Sequence, residues 1–220
     1  HRGIFRLKRK IVFDSLAIGM SPFLMNLAAC FIVIIINQGL KKYGGDLAIG
    51  AFGIVNRLVF IVVMIVMGLN QGMQPIAGYN FGAKLYGRVN KVLRLTIIYA
   101  TVVTTFGFLV GMLVPDLVVG IFTSDAELTE LSVTGLRITV MFFPIIGFQM
   151  VTSNFFQSIG MAGKAIFLSL TRQMLILLPC LLVLPQFFGV AGVWYSMPVS
   201  DLLASLIALV MLVCQFRKFR

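Results

Sequence analysis

Arg57, Arg137 and Asp201 are ionisable side chains set well inside long apolar stretches of this 220-residue chain. Charges in such surroundings are costly and are kept for a purpose. At about 1.5 Å of rise per residue, Arg57 lies roughly 14 Å and Asp201 roughly 18 Å from the same end of their helices, so the two can meet. Two chemistries are open to them. They can form a structural ion pair, or Asp201 can act as a protonatable carboxylate that takes up and releases an ion. Arg137 is shallower and reads as a side chain that snorkels outward or caps a polar pocket. The chain's one histidine is His1, at the first position, which rules out a histidine triad or an internal histidine metal cluster. Cys30, Cys180 and Cys214 each sit in an apolar stretch without a CxxC spacing, so neither a disulfide framework nor a zinc knuckle is indicated. With no catalytic constellation, no metal set and no cofactor motif, the chain does not read as an enzyme.

The elements that carry these groups follow from composition. Apolar residues make up 60% of the chain and charged ones 11%, against about 25% charged in a soluble domain; the mean hydropathy is +1.03. Apolar stretches long enough to cross a bilayer predict helices at 15–37, 48–70, 95–115, 132–156, 165–185 and 189–214. The fold class is therefore all-α, a polytopic membrane protein. Residues 1–14 form a basic amphipathic connector on the membrane face, 15–215 a six-helix transmembrane lobe and 216–220 a basic tail. The chain opens on His1 and reads as a piece of something longer. Its formal charge of +11 is distributed by side. Arg2, Arg6, Lys8, Arg9, Lys10, Lys84, Arg88, Lys91, Arg94, Lys164, Arg172, Arg217, Lys218 and Arg220 fall on the face that holds the termini. Lys41 and Lys42 fall on the other, with Asp46, Asp116, Asp125, Glu127 and Glu130. By the positive-inside rule the termini are cytoplasmic, in a plasma (inner) membrane. The charge thus reports topology, and nucleic acid is not a partner.

Spacing within the helices predicts faces. Ser15, Gly19, Pro22, Asn26, Cys30, Val33 and Asn37 form a small and polar stripe on helix 1 that should look into the bundle. Helix 4 interleaves Thr139, Gln149, Ser153 and Gln157 with Phe142, Phe143, Met150 and Phe156, a mixture suited to flat lipophilic cations. Packing against lipid or neighbouring helices is the plainer use of the same side chains. The candidate substrate contacts are Asn26, Gln149, Met150, Ser153 and Gln157. Gly192, Ser196, Ser200, Ala204 and Ala208 recur at steps of four, the small-residue spacing of a close helix crossing. Pro22, Pro144, Pro179 and Pro198 predict kinks in helices 1, 4, 5 and 6.

The connection after helix 2 is distinctive. It runs from Gly68 through Gln71, Gln74, Pro75, Asn80, Gly82 and Ala83 to Lys84, and Pro75 should end the helix where its freed amides meet water. This string resembles the loop that follows the second helix of each lobe in the multidrug and toxic compound extrusion (MATE) family of transporters. The resemblance extends to Gly160, Gly163 and Lys164 and to the run from Phe188 to Tyr195. Family members have twelve helices in two lobes, so the chain resembles the C-terminal lobe, and the N-terminal lobe is its implied partner. The resemblance implies export of organic cations and amphipathic drugs, driven by protons or sodium, with the lobes rocking between two states. Sodium-coupled members carry acidic residues on the helices equivalent to 1 and 4. Neither helix interior has one here, which favours protons. Two alternatives remain: a lipid-linked sugar flippase of the same superfamily, and a half-size membrane protein that must pair with a second lobe.

Overall fold

The computed structural model describes residues 9–218, whose regular elements are all helical. Its first helical stretch, Arg9–Gly82, is two helices that meet at Gly45, where φ is 69° and ψ is −163°. A side chain at that φ would be strained, whereas glycine occupies it freely. The arms on either side, residues 9–44 and 46–82, are spans 1 and 2. Span 3 is Tyr86–Leu113, followed by a short helix, Pro115–Gly120. Span 4 consists of Ala126–Val140 and Phe143–Ser158, bent by 55° at their junction. Span 5 runs through Ala162–Leu170, a π-helical segment at Thr171–Leu177, and Leu178–Phe188. Span 6 is Val190–Lys218. Four continuous helical stretches are long and apolar enough to cross a membrane, and the bent pair is a fifth. Division of the first stretch at Gly45 brings the bundle to six.

Local sequence explains several of these boundaries. Asp125 accepts a hydrogen bond from the Leu128 amide at 3.0 Å and so caps span 4, with Glu127 in the favourable first turn. Pro144 lies in the first turn after the bend, where a missing N–H costs least. Pro179 likewise comes directly after the π segment. The connection after span 2 departs from expectation, because the helix continues through Pro75 to Gly82 and the turn is only a few residues long. Gln71 and Pro75 both lie on the exposed side, so the Gln71 carbonyl that lacks an amide partner is not sealed inside the bundle. The turn itself is closed by Ala83, Lys84 and Leu85, whose amides donate to the carbonyls of Tyr79, Phe81 and Asn80 at 3.0, 3.0 and 2.9 Å. Span 3 consequently starts at Tyr86 and not at 95.

The bundle has two apolar cores, one towards each end. Ile32, Leu40, Phe52, Val55, Leu136 and Trp194 belong to the core on the Gly45 side. Val66, Met73, Leu93, Phe155, Phe156 and Leu212 belong to the other. Large exposed side chains such as Phe23, Phe60, Phe106 and Phe187 cover the outside, as a lipid-facing surface requires. The small-residue stripe of span 6 is buried throughout. At Gly192 the close approach is so tight that an added Cβ would fall 2.6 Å from the Pro185 nitrogen of span 5. The polar stripe of span 1 faces the opposite way from expectation. Asn26, Cys30 and Val33 are exposed, while Ala28, Ile32, Ile36 and Leu40 turn inward. Between helices in lipid it is packing and not an apolar drive that sets the face, and here Ile32, Ile36 and Leu40 pack into the core on the Gly45 side. The exposure of Ser15, Gly19 and Pro22, and residues 1–8 of the basic connector, lie outside what the structure describes.

Candidate functional site

Span 6 carries Asp201 into the bundle, where the residue is 4% exposed. Its Oδ1 accepts a hydrogen bond from Arg172 Nε at 2.7 Å. The pairing expected from depth is thereby corrected: Asp201 meets Arg172 of span 5, and Arg57 is exposed on span 2. Helical phase gives the reason. Val55 is buried, and Arg57, two residues on, points about 200° away from it. Arg137 is also exposed. Arg172, read from sequence as part of a cytoplasmic connection, is instead an intramembrane residue in the π-helical segment. π-helical turns inside α-helices recur at functional sites.

Arg172 stands between two clefts. The larger, about 310 Å³, has Arg172 and Asp201 on walls made by Phe52, Phe143, Met150 and Met197. The smaller, about 170 Å³, is lined by Asn70, Gln149, Ser153, Asn154, Gln157, Ser169 and Gln173, with Met67, Met150 and Arg172 shared between the two. Its polar wall is only partly satisfied internally. Ser153 and Ser169 hydroxyls lie 3.2 Å apart, but both polar atoms of the Asn70 side chain and the Oε1 atoms of Gln149 and Gln173 are buried without a hydrogen-bond partner. Such groups are normally satisfied.

The structure therefore brings Gln149, Met150, Ser153 and Gln157 together at one cleft and leaves Asn26 outside it, on the exposed face of span 1. Among the loop residues, Gln71, Gln74, Pro75, Gly82 and Ala83 are exposed, whereas Asn80 is buried and its Nδ2 donates to the Ile76 carbonyl at 2.8 Å. Below the polar cleft, Lys164 donates to Gln215 Oε1 and stands 5.2 Å from the centre of the Phe156 ring, which ties spans 4, 5 and 6 together. Sequence reasoning missed Asn70, Arg172 and Gln173. A signal was present in Ser169, Arg172 and Gln173, at steps of three and four inside an otherwise apolar stretch.

Comparison with known proteins fits this architecture. The family model described as MatE matches residues 20–182, and the chain belongs to that family. Over 201 residues it is 28% identical to the multidrug export protein MepA of Staphylococcus aureus strain MSSA476, covering 91% of this chain and 44% of that protein. The MepA of Staphylococcus saprophyticus is 24% identical over 93% of this chain and 45% of its own length. Among solved structures, the MATE multidrug transporter DinF-BH in complex with R6G is 36% identical, with a TM-score of 0.83 over 94% of this chain and 47% of that one. An outward-facing MATE family transporter of the MOP superfamily shares the fold at a TM-score of 0.89 and 19% identity, over 98% of this chain and 49% of its own. The chain thus spans about half the length of the relatives it matches. It is a membrane lobe of a multidrug-export family and not an enzyme.

Proposed function

We propose that this chain is the C-terminal lobe of a secondary active multidrug exporter, which exchanges organic cations and amphipathic drugs for protons by rocking against an N-terminal lobe. The observation that carries the reading is the pair of adjoining clefts: aromatic and thioether walls beside a buried carboxylate, next to an amide-lined cleft that shares Met150 and Arg172. Flat lipophilic cations are held by such walls. Gln149, Ser153 and Gln157 offer polar contacts to the cargo, with Met150 between them and the apolar wall. Asn26 and the exposed face of span 1 are assigned to the space shared with the second lobe. Asp201 provides a titratable group for coupling, and this lobe's interior offers no cluster of acidic ligands for sodium among the described residues. The basic residues near both ends support a cytoplasmic position for them at the plasma (inner) membrane. A sugar flippase would need several free cations for a pyrophosphate; among the described residues lining these clefts Arg172 is the one cation and it is paired. The test is drug efflux from cells expressing the protein with its second lobe, with the proton and sodium gradients collapsed separately. Efflux should stop with the first and persist with the second; the opposite result overturns proton coupling, and retention of drug under both intact gradients overturns export.

A further inference from the structure

The larger cleft gives Arg172 one partner, and the smaller cleft, which it also lines, holds carbonyl oxygens that have none. Arg172 spends its Nε on Asp201, and its side chain is 33% exposed, against 5% for the aspartate. The guanidinium therefore has open space beside it and terminal N–H groups that point to no second carboxylate. Gln149 and Gln173 Oε1, together with Asn70 Oδ1, are buried acceptors in need of donors. An arginine presents five donors and no acceptor, which complements these three oxygens, though not the Asn70 Nδ2 that is also without a partner. Among the described residues lining either cleft, Arg172 and Asp201 are the charged ones; spans 1, 2 and 4 contribute none. Nothing else there competes for the guanidinium.

We propose that Arg172 is a two-position switch: ion-paired to Asp201 when the carboxylate is charged, and docked on the side-chain carbonyls of Gln149, Gln173 and Asn70 when a proton neutralises Asp201. The π-helical segment at Thr171–Leu177 serves this by leaving the local backbone less tightly wound than an α-helix around the moving residue. Proton binding at span 6 would then reorganise the wall of the amide-lined cleft by filling it with a positive charge. A cationic cargo and the docked guanidinium would exclude one another. This goes beyond export as such, and it is tested without measuring transport, so that failure of one reading is distinguishable from failure of the other.

The test is a thermal-unfolding cycle on the intact purified protein, with Asp201→Asn standing for the protonated acid. In the parent, Gln149→Leu with Gln173→Leu removes unpaired buried carbonyls and should raise the midpoint by roughly 2–4 °C. In the Asp201→Asn background the same pair of substitutions removes the guanidinium's dock and should lower it by a similar amount. Equal shifts in both backgrounds overturn the proposal, because uncoupled sites add. A second measurement stands if Asp201→Asn does not fold. In a variant without native cysteines, Asn154→Cys reports the potential of the smaller cleft as the ratio of its rates with anionic and cationic methanethiosulfonates, in which thiol ionisation cancels. The ratio should rise about tenfold on acidification, the scale of one charge a few ångströms away, and rise much less in Gln149→Leu with Gln173→Leu, where Asp201 still takes its proton but the guanidinium has lost its dock. A flat ratio in the parent, or a rise undiminished in Gln149→Leu with Gln173→Leu, overturns the switch.

Discussion

Gly135 of span 4 lies flat against the indole of Trp194 in span 6: a Cβ added to the glycine would stand 2.6 Å from ring atoms Cη2 and Cζ2. Trp194 is 2% exposed and also meets Phe52 of span 2 at a centroid distance of 6.0 Å. One ring thus joins three spans, and it fits because span 4 has no side chain at that point.

Gly135→Ala should destabilise the bundle by about 1–3 kcal/mol, the usual cost of overpacking a filled core. Trp194→Phe alone leaves a void and also destabilises. Combined, the two should cost less than their sum, and thermal unfolding of the four proteins checks this. Additive losses would mean that the glycine and the indole are not in contact.

Arg172→Gln and Asp201→Asn should both lower folded yield, and Arg172→Gln the more, since it leaves a buried carboxylate without its cation. Removing one partner of a buried pair costs about 3–5 kcal/mol. The double substitution should recover much of the loss from Arg172→Gln. Arg57→Gln, at an exposed position, should leave yield unchanged. Fluorescence-detected size exclusion of membrane extracts distinguishes these outcomes; a loss with Arg57→Gln as large as that with Arg172→Gln would contradict the observed pairing.

Gly45→Ala tests the junction of spans 1 and 2. No atom lies within 4 Å of a Cβ built there, yet φ is +69°, so the cost of about 1–2 kcal/mol comes from backbone strain alone. Gly53 has equally open surroundings within a helix, and Gly53→Ala should instead be neutral or stabilising by up to about 1 kcal/mol. Paired melting curves settle the contrast, and equal effects at the two sites would remove strain as the cause.

Orientation is checked by labelling. With Cys30, Cys180 and Cys214 replaced, Asp125→Cys should react with an impermeant thiol reagent added outside intact cells, and Lys91→Cys should react only after the cells are opened. Both positions are exposed, so access is decided by side and not by burial. The reverse pattern would invert the proposed topology.

What was legible in the sequence was the repeating signal. Ser196, Ser200, Ala204 and Ala208 recur at a helical step, and all are buried; the apolar runs gave the six spans but not all their ends, since span 2 runs on to Gly82 and span 3 begins at Tyr86. The glycines and proline after span 2 carried the family resemblance, although Pro75 sits in a helix that continues past it. Proline biases a chain locally, and packing of the next turn overrode that bias: an added Cβ at Gly78 would stand 2.9 Å from the Ser158 carbonyl oxygen of span 4. Arg172 was misplaced for a different reason. Its hydropathy suits a connection, and only its partner on another helix shows that it belongs inside. Depth along two helices suggested Arg57 for Asp201, but depth says nothing about which way each helix is turned, and the amides that share a cleft with Gln149 come from spans far apart in the chain.

The π-helical segment ties the buried ion pair to the number of residues as well as to their identity. Because an i→i+5 turn takes up one residue more than an ordinary turn, loss of one residue between Thr171 and Leu177 would let the helix wind into ordinary turns while the two flanking parts of span 5 keep nearly the same phase. Mean hydropathy would barely change and the span would still be long enough to cross a bilayer. What would go is the spare residue in the turn that carries Arg172. A single-codon deletion here is therefore a milder lesion than the same deletion elsewhere in the span, where the helix beyond it would turn by about 100°, and a reading of residue types alone would not find the place.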